Sequence, residues 1–189
     1  MKIALVGTHG VGKTTLCFEL AARLKRRDVD VEMVREVARR CPLPINRETS
    51  AQAQAWILHE QMAAEIEAAA AHELVICDRS VLDNYCYLLY AAGPQAAWEP
   101  LLAAWLPTYD LLVKVPLWTR PRWDGVRDTD VTFQRDIDAL LDRELAARHL
   151  DPLRLPIDRP QQWGELVMER LEPLLQPIPP LFPDDELPP

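Results

Sequence analysis

Apolar positions along the chain follow two rhythms. Short apolar runs at residues 3–7, 31–35, 74–77 and 111–115, with a weaker one at 154–157, have the length and composition of buried strands. Between them lie longer stretches with apolar residues three or four positions apart, as at Leu16, Leu20 and Leu24, which predict helices. Strands alternating with helices imply an α/β fold with a parallel sheet of about five strands, and right-handed crossovers put helices on both faces. Ligands of such sheets bind beyond the C-terminal strand ends, so residues just after each strand become the site candidates. Thr49-Ser50-Ala51-Gln52 reads as a capping box opening a helix that runs through the Ala-rich stretch 63–71, and Ser80-Val81-Leu82-Asp83 reads as a second start. No internal repeat interrupts this layout. From about Pro173 onward, Pro177, Pro179, Pro180, Pro183, Pro188 and Pro189 surround Asp184-Asp185-Glu186, which sustains neither helix nor sheet. We therefore expect one domain over residues 1–175 and a Pro-rich acidic tail over 176–189.

The first strand is followed by Gly7-Thr8-His9-Gly10-Val11-Gly12-Lys13-Thr14, which fits G-x-x-x-x-G-K-[ST], and a helical pattern follows it. Glycines let such a loop wrap with its N–H groups inward, and the helix adds its positive dipole end, so the concavity suits a polyphosphate. In this reading the nucleotide is cradled by Gly7, His9, Gly10, Val11, Gly12, Lys13, Thr14 and Thr15. Lys13 reaches the β- and γ-phosphates, the Thr14 hydroxyl ligates magnesium, and Thr15 bonds the α-phosphate. His9 reads as an exposed loop filler rather than a catalyst.

Three further segments supply chemistry to the same edge. Residues 74–77 deliver Asp78 and Arg79: the acid orients magnesium or its waters, and the base neutralises the moving phosphoryl group. Taken alone, Asp78 reads equally well as a helix cap with Arg79 its solvated partner. After the second strand, Glu36 in Arg35-Glu36-Val37-Ala38-Arg39-Arg40 is placed to bind or deprotonate a substrate hydroxyl, against the alternative of solvated charges starting a helix. Gln52, Gln54, Trp56 and His59 share a helix that could line a base or sugar pocket, although Trp56 by itself reads as core packing. The stretch from Trp118 to Asp128 combines loop formers with Arg120, Arg122 and Arg127, as a lid over phosphates would, and Arg135 follows on the next helix. Arg120, Arg122, Arg127 and Arg135 are each candidates to neutralise transition-state charge; Arg127 is carried with the catalytic set, and the choice among the four stays open.

Composition narrows the function classes. The 189 residues, 49% hydrophobic, suffice for one well-buried domain. A formal net charge of -8 argues against broad binding to nucleic acid or an anionic membrane, while permitting a local basic pocket for a small anion. Cys17, Cys41, Cys77 and Cys86 show no C-x-x-C spacing and read as reduced thiols. No apolar stretch approaches a membrane span and the first apolar run belongs to the phosphate-loop strand, so a cytoplasmic protein is expected.

Gly7–Thr15, Arg35–Arg39, Asp78-Arg79-Ser80 with Leu82-Asp83, and Asp124-Gly125-Val126-Arg127 together resemble the AAA_28-type P-loop proteins, which include the ribosylnicotinamide kinase domain of bacterial NAD-regulating proteins. The resemblance spans residues 1 to 173 in layout, and only its first element is highly specific. Asp-Arg-Ser is also similar to the strand-end element of deoxynucleoside and thymidylate kinases. These resemblances imply a nucleoside-kinase-like P-loop NTPase fold with three α/β/α layers, and transfer of a phosphoryl group from ATP, with Mg2+, to a small nucleoside-like acceptor. The adenylyltransferase domain of the bifunctional proteins has no counterpart here, which leaves the acceptor open, as it leaves a homo-oligomer open. The competing expectation is an NTPase switch or regulatory nucleotide-binding module acting through a protein partner. A kinase of nucleic-acid 5′ ends is disfavoured by the acidic balance.

Overall fold

A computed structural model of the protein describes residues 1–120 and 128–175. The elements alternate as the apolar rhythms predict: β1 (Lys2–Val6), α1 (Lys13–Lys25), β2 (Val31–Val34), α2 (Ala51–Ala71), β3 (Leu74–Asp78), α3 (Val81–Ala92), α4 (Glu99–Trp105), β4 (Leu111–Lys114), α5 (Val131–Ala147), β5 (Leu153–Arg154) and α6 (Trp163–Leu171). The five strands form one sheet in the order β2-β3-β1-β4-β5, and each neighbouring pair is parallel.

Period-two burial along the strands builds two cores. Ile3 and Leu5 of β1 pack with Leu16, Leu20 and Leu24 of α1 and Val167 of α6. Ala4 and Val6 face the other way, toward Leu58 of α2, Leu82 and Tyr85 of α3 and Leu145 of α5. Burial on both faces explains why the strands read as continuous apolar runs rather than as alternating ones.

Two local expectations shift. The fifth strand is Leu153–Arg154, displaced toward the N-terminus from 154–157 and only two residues long. Pro156 has no N–H to give a ladder, so pairing ends with the Leu155 N–H bound to the Lys114 carbonyl. At α2 the cap is Ser50, whose side chain accepts the Ala53 N–H, and position three of the helix holds Ala53 rather than an acid or amide that could reciprocate. Thr49 instead accepts the Gln54 amide at 2.8 Å. The second box forms in full: Ser80 caps α3 and the Asp83 carboxylate returns to the Ser80 N–H.

Candidate active site

The strand order decides what meets at the C-terminal edge. Because β3 pairs with β1, Asp78 lies beside the start of α1; because β2 lies outside β3, the segment after β2 closes the site from the far side. The loop after β1 requires two unusual glycines. Gly7 has φ +154 and a Cβ there would stand 2.8 Å from the Val115 carbonyl oxygen, while Gly12 has φ +98 and opens α1 without any side-chain cap. The first-turn amides of α1 are thereby left for an anion.

Three contacts brace this loop. Asp83 of α3 accepts the Gly7 N–H at 2.9 Å while holding the Ser80 N–H and hydroxyl, so one carboxylate joins the phosphate loop to the α3 N-terminus. Gln134 of α5 donates to the His9 carbonyl at 2.8 Å, and Trp118 donates to the Val11 carbonyl at 2.8 Å. His9 is buried, in contrast to its expected exposure: its Nδ1 lies 3.1 Å from the Tyr87 hydroxyl and its ring packs 5.3 Å from that of Phe133. An aromatic shelf that α3 and α5 assemble covers it, and sequence spacing within the loop carries no trace of that shelf.

The loop borders a cleft of about 250 Å³. Of the residues expected at the site, His9, Gly10, Gly12, Lys13, Thr14, Thr15, Glu36, Asp78 and Arg79 line it. Gly7 and Val11 do not line it: Val11 is fully buried and the Gly7 carbonyl accepts Lys13 Nζ. Gln54 is the one member of its helical quartet that lines the cleft; Gln52 and His59 are exposed, and His59 Nδ1 lies 2.7 Å from the Ala55 carbonyl of its own helix. Arg120 and Arg135 are exposed and do not line it. Arg122 and Arg127 fall outside the described residues, as does the tail over 176–189.

Charge in the cleft is arranged in pairs. Lys13 folds back onto its own loop, donating at 2.7 Å to the carbonyls of Gly7 and of Thr8. Its ammonium is pulled down to about 8, by burial first and by the neighbouring Arg79 charge second. Glu36 follows β2, where a 3₁₀ turn (Val37–Arg40) begins, and accepts Arg79 Nε at 2.7 Å and Arg39 Nε at 3.0 Å. Burial alone would raise the Glu36 carboxyl, but Arg79, Lys13 and Arg39 outweigh it and hold it at about 2. Arg79 has φ +105, a conformation side chains rarely adopt, at the point where β3 hands over to α3. Its guanidinium lies 5.0 Å from the Tyr87 ring, and its buried Nη1 has no hydrogen-bond partner among the described residues.

Thr14 Oγ1 donates to Asp78 Oδ2 at 2.5 Å, and burial raises the Asp78 carboxyl against the pull of Lys13. One hydroxyl and one buried carboxylate, both hard oxygen donors, match what magnesium takes from protein when phosphates and waters complete its shell. The residues present therefore fit that ion.

Sequence reasoning missed the far wall. Ile45, Ile57, Asn84 and Tyr87 also line the cleft, and Asn84 Nδ2 is buried there without a partner among the described residues. The available signal was the polar pair Asp83-Asn84 inside the apolar run of α3, where an unpaired amide is expensive unless something binds it.

A glycine-built anion site at the head of α1, with an acid and an arginine from the adjacent strand, defines a P-loop protein of the kinase type of fold. The chain belongs to the AAA_28 family, described as an AAA domain, whose model matches residues 2–162. No curated protein matches its sequence. Among solved structures it is similar to deoxyadenosine kinase from M. mycoides with the products dCMP and a flexible dCDP bound, at TM-score 0.66 and 18% identity, covering 92% of this chain and 100% of that one. The same enzyme with bound dATP aligns at TM-score 0.65 and 16% identity, covering 91% and 99%. These likenesses establish a shared α/β fold. Among the described residues no helix is long and apolar enough to cross a membrane.

Proposed function

We propose that this chain is an ATP- and magnesium-dependent kinase that moves the γ-phosphoryl group to a hydroxyl of a small nucleoside-like acceptor. The observation that carries the reading is the Glu36–Arg79 pair, which faces Lys13 within one cleft. A hydrolytic loop needs no second charged pair facing an acceptor pocket, whereas a kinase does.

In this reading the α1 amides and Lys13 hold the β- and γ-phosphates. Thr14 and Asp78 would hold magnesium, which would supply charge neutralisation at the phosphates when bound. Glu36 accepts the hydrogen bond of the acceptor O–H and takes its proton as the O–P bond forms. Held at about 2, it is a weak base. That suits a loose transfer in which the hydroxyl is deprotonated late and positioning dominates. Arg79 Nη1, unpartnered among the described residues, offers a hydrogen bond to oxygen on the acceptor or the moving phosphoryl group, and Lys13 neutralises charge on the departing diphosphate. Gln54 and Asn84 offer amide hydrogen bonds to a heterocycle held between Ile45, Ile57 and Tyr87.

The test measures ADP formation with magnesium and ATP, alone and with nicotinamide riboside, ribonucleosides, deoxynucleosides and their monophosphates. Acceptor-dependent ADP with a phosphorylated product is expected. Equal ADP with and without every acceptor, abolished by Lys13→Ala, would overturn the kinase in favour of an NTPase acting through a protein partner.

A further inference from the structure

Beneath the Arg79 turn lies a buried polar network of Lys2, Gln61, Glu65, Trp105 and Tyr109, none of which lines the cleft. Glu65 of α2 is fully enclosed and its carboxylate is saturated: Oε2 accepts Lys2 Nζ at 2.7 Å and Trp105 Nε1 at 2.8 Å, and Oε1 accepts the Tyr109 hydroxyl at 2.7 Å and Gln61 Nε2 at 2.9 Å. Gln61, one turn earlier, spends its second amide hydrogen on the Arg79 carbonyl at 3.3 Å. Both of its partners are acceptors, so the amide can sit only with nitrogen toward them, and its own Oε1 is left unpartnered among the described residues. The ring closes on the other side of Ser80, where the Val81 N–H donates to the Tyr109 hydroxyl at 3.1 Å. Thus the carbonyl before Ser80 and the amide after it are pinned to one fixed carboxylate.

The residue held this way is Arg79, with its left-handed φ of +105. A side chain stays in that region only where its surroundings over-determine it. Lys2 balances the Glu65 charge and lies over the Trp105 and Tyr109 rings at 4.7 and 4.5 Å, so the network resists moving as a unit.

We infer that Gln61, seated on Glu65, is a positioning residue for Arg79: it holds the strained backbone that aims the guanidinium at Glu36 and at the acceptor. Gln61 does not line the cleft, and the cleft residue it touches is Arg79, at its carbonyl. This rests on the kinase reading for its kinetic consequence, but not for its structural one.

The experiment has two arms. The crystal structure of Gln61→Met is expected to show Arg79 relaxed out of positive φ, with the 2.7 Å bond to Glu36 lost. Retention of both would overturn the inference whatever the protein catalyses. In the kinetic arm Gln61→Met should lower kcat about tenfold with KM for ATP within about twofold, and should cost nothing further in an Arg79→Ala background. Equal losses in both backgrounds would mark Gln61 as generally structural and overturn the inference. If Gln61→Met fails to fold, Gln61→Asn, which keeps the amide but withdraws it by one methylene from the Arg79 carbonyl, carries both arms with the same expectations. If no acceptor supports turnover, the kinase reading fails while the structural arm still decides this one.

Discussion

Lys13 should leave a pH signature on folding that Lys13→Met erases. Its folded-state value of about 8 lies below the ordinary lysine value of 10.5, mainly because burial strips water from the ammonium. Below pH 8 both states hold the proton, and above 10.5 neither does. Between them the unfolded chain binds a proton that the folded chain has released, so folded stability rises with pH across that window. Each unit is worth about 1.4 kcal/mol, so the interval of about 2.5 units gives on the order of 3 kcal/mol, with no discount for screening because the side chain is buried. The assay is urea unfolding of wild type and Lys13→Met at half-unit steps from pH 7 to 10.5. Subtraction removes the titration of tyrosines and exposed lysines common to both. The wild-type minus variant difference should climb by about 3 kcal/mol from pH 8 upward. A flat difference would refute the burial argument. Saturating ATP should move the onset upward, since a polyphosphate beside the ammonium favours its charged form.

Glu36→Gln should reduce acceptor-dependent turnover about 10²- to 10⁴-fold, the usual weight of a positioned proton acceptor, while ATP affinity from equilibrium titration stays within about threefold. Gly7→Ala forces a Cβ against the Val115 carbonyl at 2.8 Å in a φ that side chains avoid; we expect a loss of about 1–3 kcal/mol in urea unfolding together with weakened nucleotide binding. Chelating magnesium with EDTA should abolish turnover reversibly, and Thr14→Ala should raise the magnesium concentration for half-maximal rate by about tenfold or more, read from a metal titration.

The phosphate loop was legible because its chemistry is local: glycine positions, Lys13 and Thr14 are fixed by spacing along one strand-to-helix turn. Asp78, Arg79 and Glu36 were legible as strand-end charges, but their partners depend on neighbour order. Nothing in the chain says that β3 lies between β1 and β2, and only that order sets Thr14 against Asp78 and Arg79 against Glu36. His9 was misjudged because Tyr87, Phe133 and Gln134, which enclose it, come from helices more than 70 positions away. Asn84 and Gln61 were overlooked for a related reason. Each is a polar residue in a helix that is otherwise largely apolar on that side, and only the buried hydrogen-bond ledger reveals what it faces.

The placement of β3 also turns the sheet into a ruler. The phosphate loop hangs from β1 and Glu36 from β2, two rungs apart, and parallel strands are spaced at about 4.8 Å, so roughly 10 Å separates the two anchoring strands. That reach is set by main-chain hydrogen bonding, not by any side chain. If the proposed kinase reading holds, substitutions around Ile45, Asn84 and Tyr87 would therefore retune which acceptor is admitted while leaving the distance between the phosphate loop and Glu36 unchanged.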